Sequence, residues 1–289
     1  MKNIPTPLCQ AISLLLLFSP LSPAPGQQEE PSLDSQEQLA IHRAVTIASP
    51  SVVRIETIGG LEQVGQLLLG DGPTSGVVVS ADGYILSSAF HFVRQPTSIL
   101  VTTPSGKRAA AKIVARDRSR MLVLLKVNSE ESFPLPELVP RKELQVGQWA
   151  IAIGRTLSRD SANISVGIIS ATNRIWGKAI QTDGKISPVN YGGALVDIEG
   201  RVTGILVPLS PQGQSSELAG TEWYDSGIGF AIPITDVLPH LEKMKQGEDL
   251  HAGLLGVTLK GSDIYADPPE IAAVQPKSPA SEAAIKAGD

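Results

Sequence analysis

Residues 75–88 read Ser75-Gly76-Val77-Val78-Val79-Ser80-Ala81-Asp82-Gly83-Tyr84-Ile85-Leu86-Ser87-Ser88. Two short runs rich in β-branched and apolar residues flank an Asp-Gly pair. Asp-Gly is the turn chemistry of a tight hairpin, because glycine supplies the positive φ that such turns need. The same texture continues outward in both directions. SVVRIETI (51–58) lies upstream. SILVTT (98–103), AAKIVA (110–115), MLVLLKV (121–127), QWAIAIG (148–154) and SVGIISAT (165–172) follow, with Ser105-Gly106 as a second hairpin signal. Many short strands at regular spacing over such a length predict closed barrels or a sandwich. Helices do not alternate with the strands, which argues against a parallel doubly wound sheet.

The flanks read differently. Lys2 precedes the apolar run Ala11 to Phe18, and small residues and prolines follow as far as Gly26. This is the pattern of a secretory signal peptide over 1–26, cleaved after Ala24 or Gly26, with Gly26 favoured because Pro25 hinders the first site. The run is too short for a membrane span. An exported location, periplasmic or extracellular, follows, or a membrane tether if the leader stays uncleaved. Residues 27–35 are polar. Residues 36–48 have helical apolar spacing and predict a short helix ending before Pro50, so 27–49 reads as a tether plus helix. His42 within it reads as a surface histidine. Stretches 59–73 and 208–226 read as longer loops. A helical segment is expected between Ile232 and Gly247, capped at Thr235 or Asp236.

Composition narrows the function classes. The chain has 289 residues, 42% hydrophobic and 18% charged, too apolar for a disordered chain. Gly 27 and Pro 22 with only 4% aromatics suit many turns between short strands. Net charge is −5 with no Lys/Arg-rich run, so nucleic acid is not an expected partner. Cys9, before the apolar run, is the only cysteine. A mature chain without it has no disulfide, no thiolate nucleophile and no Cys-based metal site. Four scattered histidines without an HExxH pattern, and no phosphate-binding glycine loop, predict no metal and no cofactor.

Glycine-flanked blocks recur in a definite order: Ser75-Gly76-Val77-Val78, Asp82-Gly83-Tyr84-Ile85-Leu86, Val146-Gly147-Gln148-Trp149, Val166-Gly167-Ile168-Ile169, Tyr191-Gly192-Gly193-Ala194-Leu195 and Gly227-Ile228-Gly229-Phe230-Ala231. In this order they resemble the HtrA (Deg) family of trypsin-like serine proteases. The resemblance implies an all-β fold of two six-stranded antiparallel β-barrels (chymotrypsin/trypsin-like) over 50–235. A helix or linker at 236–250 and the start of a PDZ-like domain at 251–289 complete the reading. Such relatives are quality-control proteases and are often trimers, so a homo-oligomer is compatible with the resemblance.

A serine protease needs a hydroxyl nucleophile, an imidazole base and an orienting carboxylate. Counting without a gap from Gly83, the resemblance puts Phe90 in the histidine slot. It puts Met121 in the aspartate slot and Tyr191 in the serine slot. None of the three can do the original chemistry: a phenyl ring accepts no proton, a thioether carries no charge, and a phenol of pKa about 10 reaches further than a serine hydroxyl. Val189 replaces a glycine whose backbone N–H helps form the oxyanion hole, and Val189, Asn190, Tyr191 and Gly192 form the expected substrate-binding stretch. The expectation is a pseudoprotease that binds unfolded polypeptide or regulates an active HtrA relative. The rival is His91, one residue past the slot, serving an active endopeptidase with non-standard partners. Asp117 and Ser187 each lie four residues before their slots, so neither is a simple neighbour shift. His91 is therefore expected to be buried and neutral, Tyr191 to pack on Phe90 and Met121, and Asp183 to hold backbone. Gly253-Leu254-Leu255-Gly256-Val257 resembles the carboxylate-binding loop of a PDZ domain, which would hold a peptide C-terminus.

Overall fold

In the computed structural model the described residues are 32–59, 62–64, 67–69, 72–93, 95–158, 160–209, 226–261 and 267–289. The expected leader and most of the 208–226 loop lie outside them. Helix α1 (Leu33–Ala48) begins at Ser32, whose hydroxyl accepts from Ser35 N, and runs into a 3₁₀ turn at Ser49–Ser51 that carries Pro50. The helix thus starts three residues before the apolar pattern does, because a serine cap fixes its first turn. The strands follow in chain order: β1 (Val52–Ile58), β2 (Glu62–Val64), β3 (Leu67–Leu69), β4 (Gly72–Ser80), β5 (Tyr84–Ser88), β6 (Ser98–Thr102), β7 (Arg108–Asp117) and β8 (Leu122–Val127). Then come β9 (Trp149–Gly154), β10 (Asn163–Arg174), β11 (Ala179–Thr182), β12 (Ala194–Val196), β13 (Val202–Val207) and β14 (Gly229–Pro233).

Twelve of these strands close into two antiparallel barrels, in the order β1-β4-β5-β8-β7-β6 and β10-β11-β14-β13-β12-β9. Alternate residues of single strands explain the continuous apolar runs. In β8, Val123 and Leu125 fill the first barrel while Leu122 and Leu124 join a cluster shared with the second. In β9, Ala150 and Ala152 line the second barrel while Ile151 and Ile153 face the shared cluster. A strand buried on both faces shows no polar alternation. Ala44 and Ala48 of α1 extend the shared cluster, so the helix is fastened across the junction.

Two expectations need correction. The 59–73 stretch holds a two-stranded hairpin, β2 paired with β3, and the first residues of β4. Three-residue strands are too short to show a period. The segment after β14 is broken into α2 (Ile234–Val237), a 3₁₀ turn at Leu238–His240 and α3 (Leu241–Lys245). Its cap is Pro233, with no side-chain hydrogen bond; Thr235 is half-buried with its hydroxyl oxygen enclosed and unpartnered, and Asp236 pairs with Arg141. Pro239 lies in the 3₁₀ turn, where its missing N–H breaks the α pattern. Beyond Leu250, β15 (Val257–Leu259) pairs with β16 (Ile271–Val274), and α4 (Pro279–Glu282) follows.

Candidate functional site

The Asp-Gly turn feeds β5, and β5 ends at Ser88. The Ser88 hydroxyl accepts from Phe90 N and caps a 3₁₀ turn over Ala89–Phe92. That turn carries two of the candidate residues. Phe90 is buried, but not in its own barrel: it enters the core of the second barrel, beside Ile186, Leu206 and Tyr191. Its ring meets Tyr191 edge-to-face, with centroids 5.2 Å apart at 74°. This geometry suits the aromatic quadrupoles and adds to the burial of two large rings.

His91 is 7% exposed and its ring meets Phe90 edge-on at 5.1 Å. Its Nδ1 is buried without a hydrogen-bond partner. Burial pushes its pKa down to about 4. A general base works best with a pKa near the operating pH, so this imidazole is a weak one. No carboxylate orients it among the described hydrogen bonds.

Met121 stands apart. It follows a turn organised by Asp117, whose fully buried carboxylate accepts from Ser119 N at 3.0 Å, Ser119 Oγ at 2.8 Å, Arg120 N at 3.1 Å and Arg120 Nη1 at 2.8 Å. The carboxylate thus holds its own turn and its own arginine. Met121 leaves that turn with φ 56°, and its carbonyl accepts from Ala89 N at 2.7 Å. Its side chain packs against the shared cluster, and the ring contact is between Phe90 and Tyr191.

Ser187 is engaged in its own turn. Its hydroxyl lies 3.4 Å from Asn190 Oδ1, and its carbonyl accepts from Asn190 N and from Tyr191 N.

A model of the trypsin-like peptidase domain matches residues 74–205. The protein named as the serine protease HhoB in Synechocystis is 31% identical over 89% of this chain and 69% of its own length. This chain belongs to the HtrA family of trypsin-like serine proteases. A protein named as a DegP-like periplasmic serine endoprotease in Halomonas elongata is 32% identical over 74% of the chain and 46% of its own length. The chain spans about half the length of such curated relatives. The crystal structure of the serine endoprotease from Yersinia pestis superposes with a TM-score of 0.63 at 29% identity, covering 86% of this chain and 79% of the other. The HtrA-type protease AlgW, at 24% identity and a TM-score of 0.64, shares the fold.

The Tyr191 N–H donates to the Ser187 carbonyl at 3.2 Å. The Val189 carbonyl is held by Thr156 Oγ1 at 2.7 Å and Asn163 Nδ2 at 3.1 Å. The slot beside Tyr191, lined by Ile186, Val207, Leu209 and Phe230 among others, keeps a cavity of about 10 Å³, barely the space of one water.

Several positioning residues were not singled out from the sequence. Thr74 Oγ1 donates to the Tyr191 carbonyl at 2.9 Å, Ser87 Oγ donates to the Ser75 carbonyl at 2.6 Å, and Ser75 Oγ accepts from Arg155 N at 2.8 Å. These buried hydroxyls on β4 and β5 dock the Tyr191 turn of one barrel onto the other. The signal was present as Thr74-Ser75 and Ser87-Ser88, polar residues inside apolar strands. Gly192 makes the approach feasible: at φ 79°, a Cβ there would lie 2.2 Å from the Ser75 carbonyl oxygen. Asp183 Oδ1 accepts from Ile168 N at 2.7 Å. His42 is exposed on α1.

Residues 253–257 form the approach to β15. Leu254 and Leu255 are 66% and 56% exposed, the Leu255 carbonyl accepts from Ala280 N, and the Gly256 carbonyl accepts from Gln275 N. The loop's carbonyls are thus tied to the segment that follows. Among the described residues no cluster of His, Cys, Asp and Glu has metal-binding geometry, and no helix is long and apolar enough to cross a membrane.

Proposed function

We propose that this chain is an exported, periplasmic HtrA-family protein that does not hydrolyse peptides. In this reading it uses the two-barrel scaffold to bind unfolded polypeptide or to regulate an active relative. The observation that carries the reading is the Phe90–Tyr191 edge contact, between the two rings that the sequence resemblance aligns with the family's base and nucleophile. Unpaired polar groups in such a desolvated position would be costly, and the rings avoid that cost. Support also comes from the engaged Tyr191 N–H and from the low basicity of His91. The export part rests on the leader pattern at 1–26 and on relatives whose names describe periplasmic endoproteases.

The test is turnover of unfolded casein by the purified mature chain, beside His91→Ala and Tyr191→Ser. The expected result is no turnover in any of the three, with casein still bound in a fluorescence-anisotropy titration. Turnover by the wild type that disappears in His91→Ala would overturn the reading and mark His91 as a working base. Absence of both turnover and casein binding would remove the polypeptide-binding role and leave regulation of a relative, tested by adding the chain to an active HtrA protease.

A further inference from the structure

At the barrel junction lies a cavity of about 150 Å³, lined by Ser49, Val53, Arg54, Thr103, Pro134 and Arg155 among others. Its residues come from the 3₁₀ turn after α1, from β1, from the end of β6 and the loop after it, from the segment after β8 and from the residue after β9. An apolar cavity of this order holds a benzene-sized guest; this one has two guanidinium groups in its wall and no Asp or Glu in its lining.

The two arginines differ. Arg54 is satisfied: its Nε pairs with Glu56 at 3.2 Å and its Nη1 donates to the carbonyls of Arg155 and Thr156. Arg155 is not. Its Nη2 donates to the Ser49 carbonyl at 3.1 Å, while its Nε is buried with no acceptor. It forms no ion pair among the described residues. The nearby carboxylates are engaged elsewhere, Glu56 with Arg54 and Arg108, Glu131 with Thr103 and Ser105. A buried cationic N–H without an acceptor carries a full desolvation penalty, and an oxyanion is the partner a guanidinium fork fits best.

We propose that this cavity is a binding site for a small oxyanion, a phosphate or a carboxylate, held by the Arg155 guanidinium with the Arg54 charge beside it. The site is separate from the Phe90–Tyr191 cleft and does not depend on the function assigned to that cleft. Burial also lowers the pKa of Arg155, as expected of a cation short of a counter-charge. An anion here would tie α1 and both barrels together.

The experiment follows thermal unfolding and isothermal titration calorimetry of the full chain. It uses inorganic phosphate or acetate against sodium chloride at matched ionic strength and pH 7.5. At fifty times a dissociation constant of about 1 mM, the midpoint rises by roughly 5 °C above the chloride control. Response to phosphate alone identifies a tetrahedral oxyanion, and response to acetate identifies a carboxylate; either supports the site. Arg155→Met loses the response, and Arg155→Lys, which keeps the charge but not the fork, weakens binding at least about tenfold. No response beyond chloride in the wild type overturns the proposal. So does a response that Arg155→Met or Arg155→Lys leaves intact. Should Arg155→Met fail to fold, the wild-type calorimetry and the lysine variant decide.

Discussion

Acid titration of His91 puts the packing around the aromatic pair to a direct test. The imidazole is 7% exposed, and burial alone lowers its pKa from 6.5 to about 4. The unfolded chain therefore binds the proton more readily than the folded one. Stability is complete above the unfolded pKa and falls as pH drops from about 6.5 towards 4. Between pH 7 and pH 5 the loss from this one group is about 2 kcal/mol, rising to about 3 kcal/mol by pH 4. Carboxylates with lowered pKa, such as Asp82 and Glu131, also weaken the fold in acid. They cancel in a comparison with His91→Leu, which keeps the volume and removes the titration. The assay is urea unfolding of both proteins at several pH values between 4.5 and 7.5, followed by tryptophan fluorescence. The wild type should lose about 2 kcal/mol more than the variant between pH 7 and pH 5. Equal slopes would refute the reasoning, as would an imidazole NMR titration with a midpoint near 6.5.

Two further substitutions probe the junction. Phe90→Ala should destabilise by about 3–5 kcal/mol in chemical denaturation, because it removes a buried ring from the second barrel's core and leaves Tyr191 without its edge partner; a loss under 1 kcal/mol would mean the ring is not packed there. Gly192→Ala should cost more than about 2 kcal/mol, since its φ of 79° and the 2.2 Å approach to the Ser75 carbonyl both exclude a Cβ; near wild-type stability in the same assay would show that the turn has another arrangement.

The barrels were legible because their strands announce themselves twice, as β-branched runs and as turn residues between them. Gly83 and Gly106 take the positive φ that the two hairpin signals require, at 90° and 80°. What the sequence hid were features set by tertiary contacts. The β2–β3 hairpin is too short to show alternation. Pro233 caps α2 in place of the better-looking Thr235 and Asp236, because Asp236 is drawn to Arg141, which also binds the Thr172 and Gly177 carbonyls of the facing hairpin. The packing of Tyr191 on Phe90 was legible in the sequence; the setting of Met121 was not. Nothing in the run Asp117 to Met121 says that the carboxylate will organise its own turn and direct Met121 to the shared cluster. The Arg155 cavity is equally silent in the sequence, being assembled from four separated segments.

Steric demands and chemical demands act on different residues in this fold. The motifs that mark the HtrA family here are mostly glycines, and the structure says why each is hard to replace. A Cβ on Gly193 would come within 2.1 Å of the Ile153 carbonyl oxygen, on Gly154 within 2.6 Å of the Val189 carbonyl oxygen, and on Gly229 within 2.2 Å of Ile186. These contacts hold the Tyr191 turn against β9 and β4 whatever side chain the turn presents. The side chains of Phe90 and Tyr191 face no such backbone constraint; they need only fill the junction and leave no polar atom stranded. Phe90 and Tyr191 meet that demand together, and they do so by inserting a residue of one barrel into the core of the other. The glycine contacts in this chain therefore report how the Tyr191 turn is seated between the two barrels.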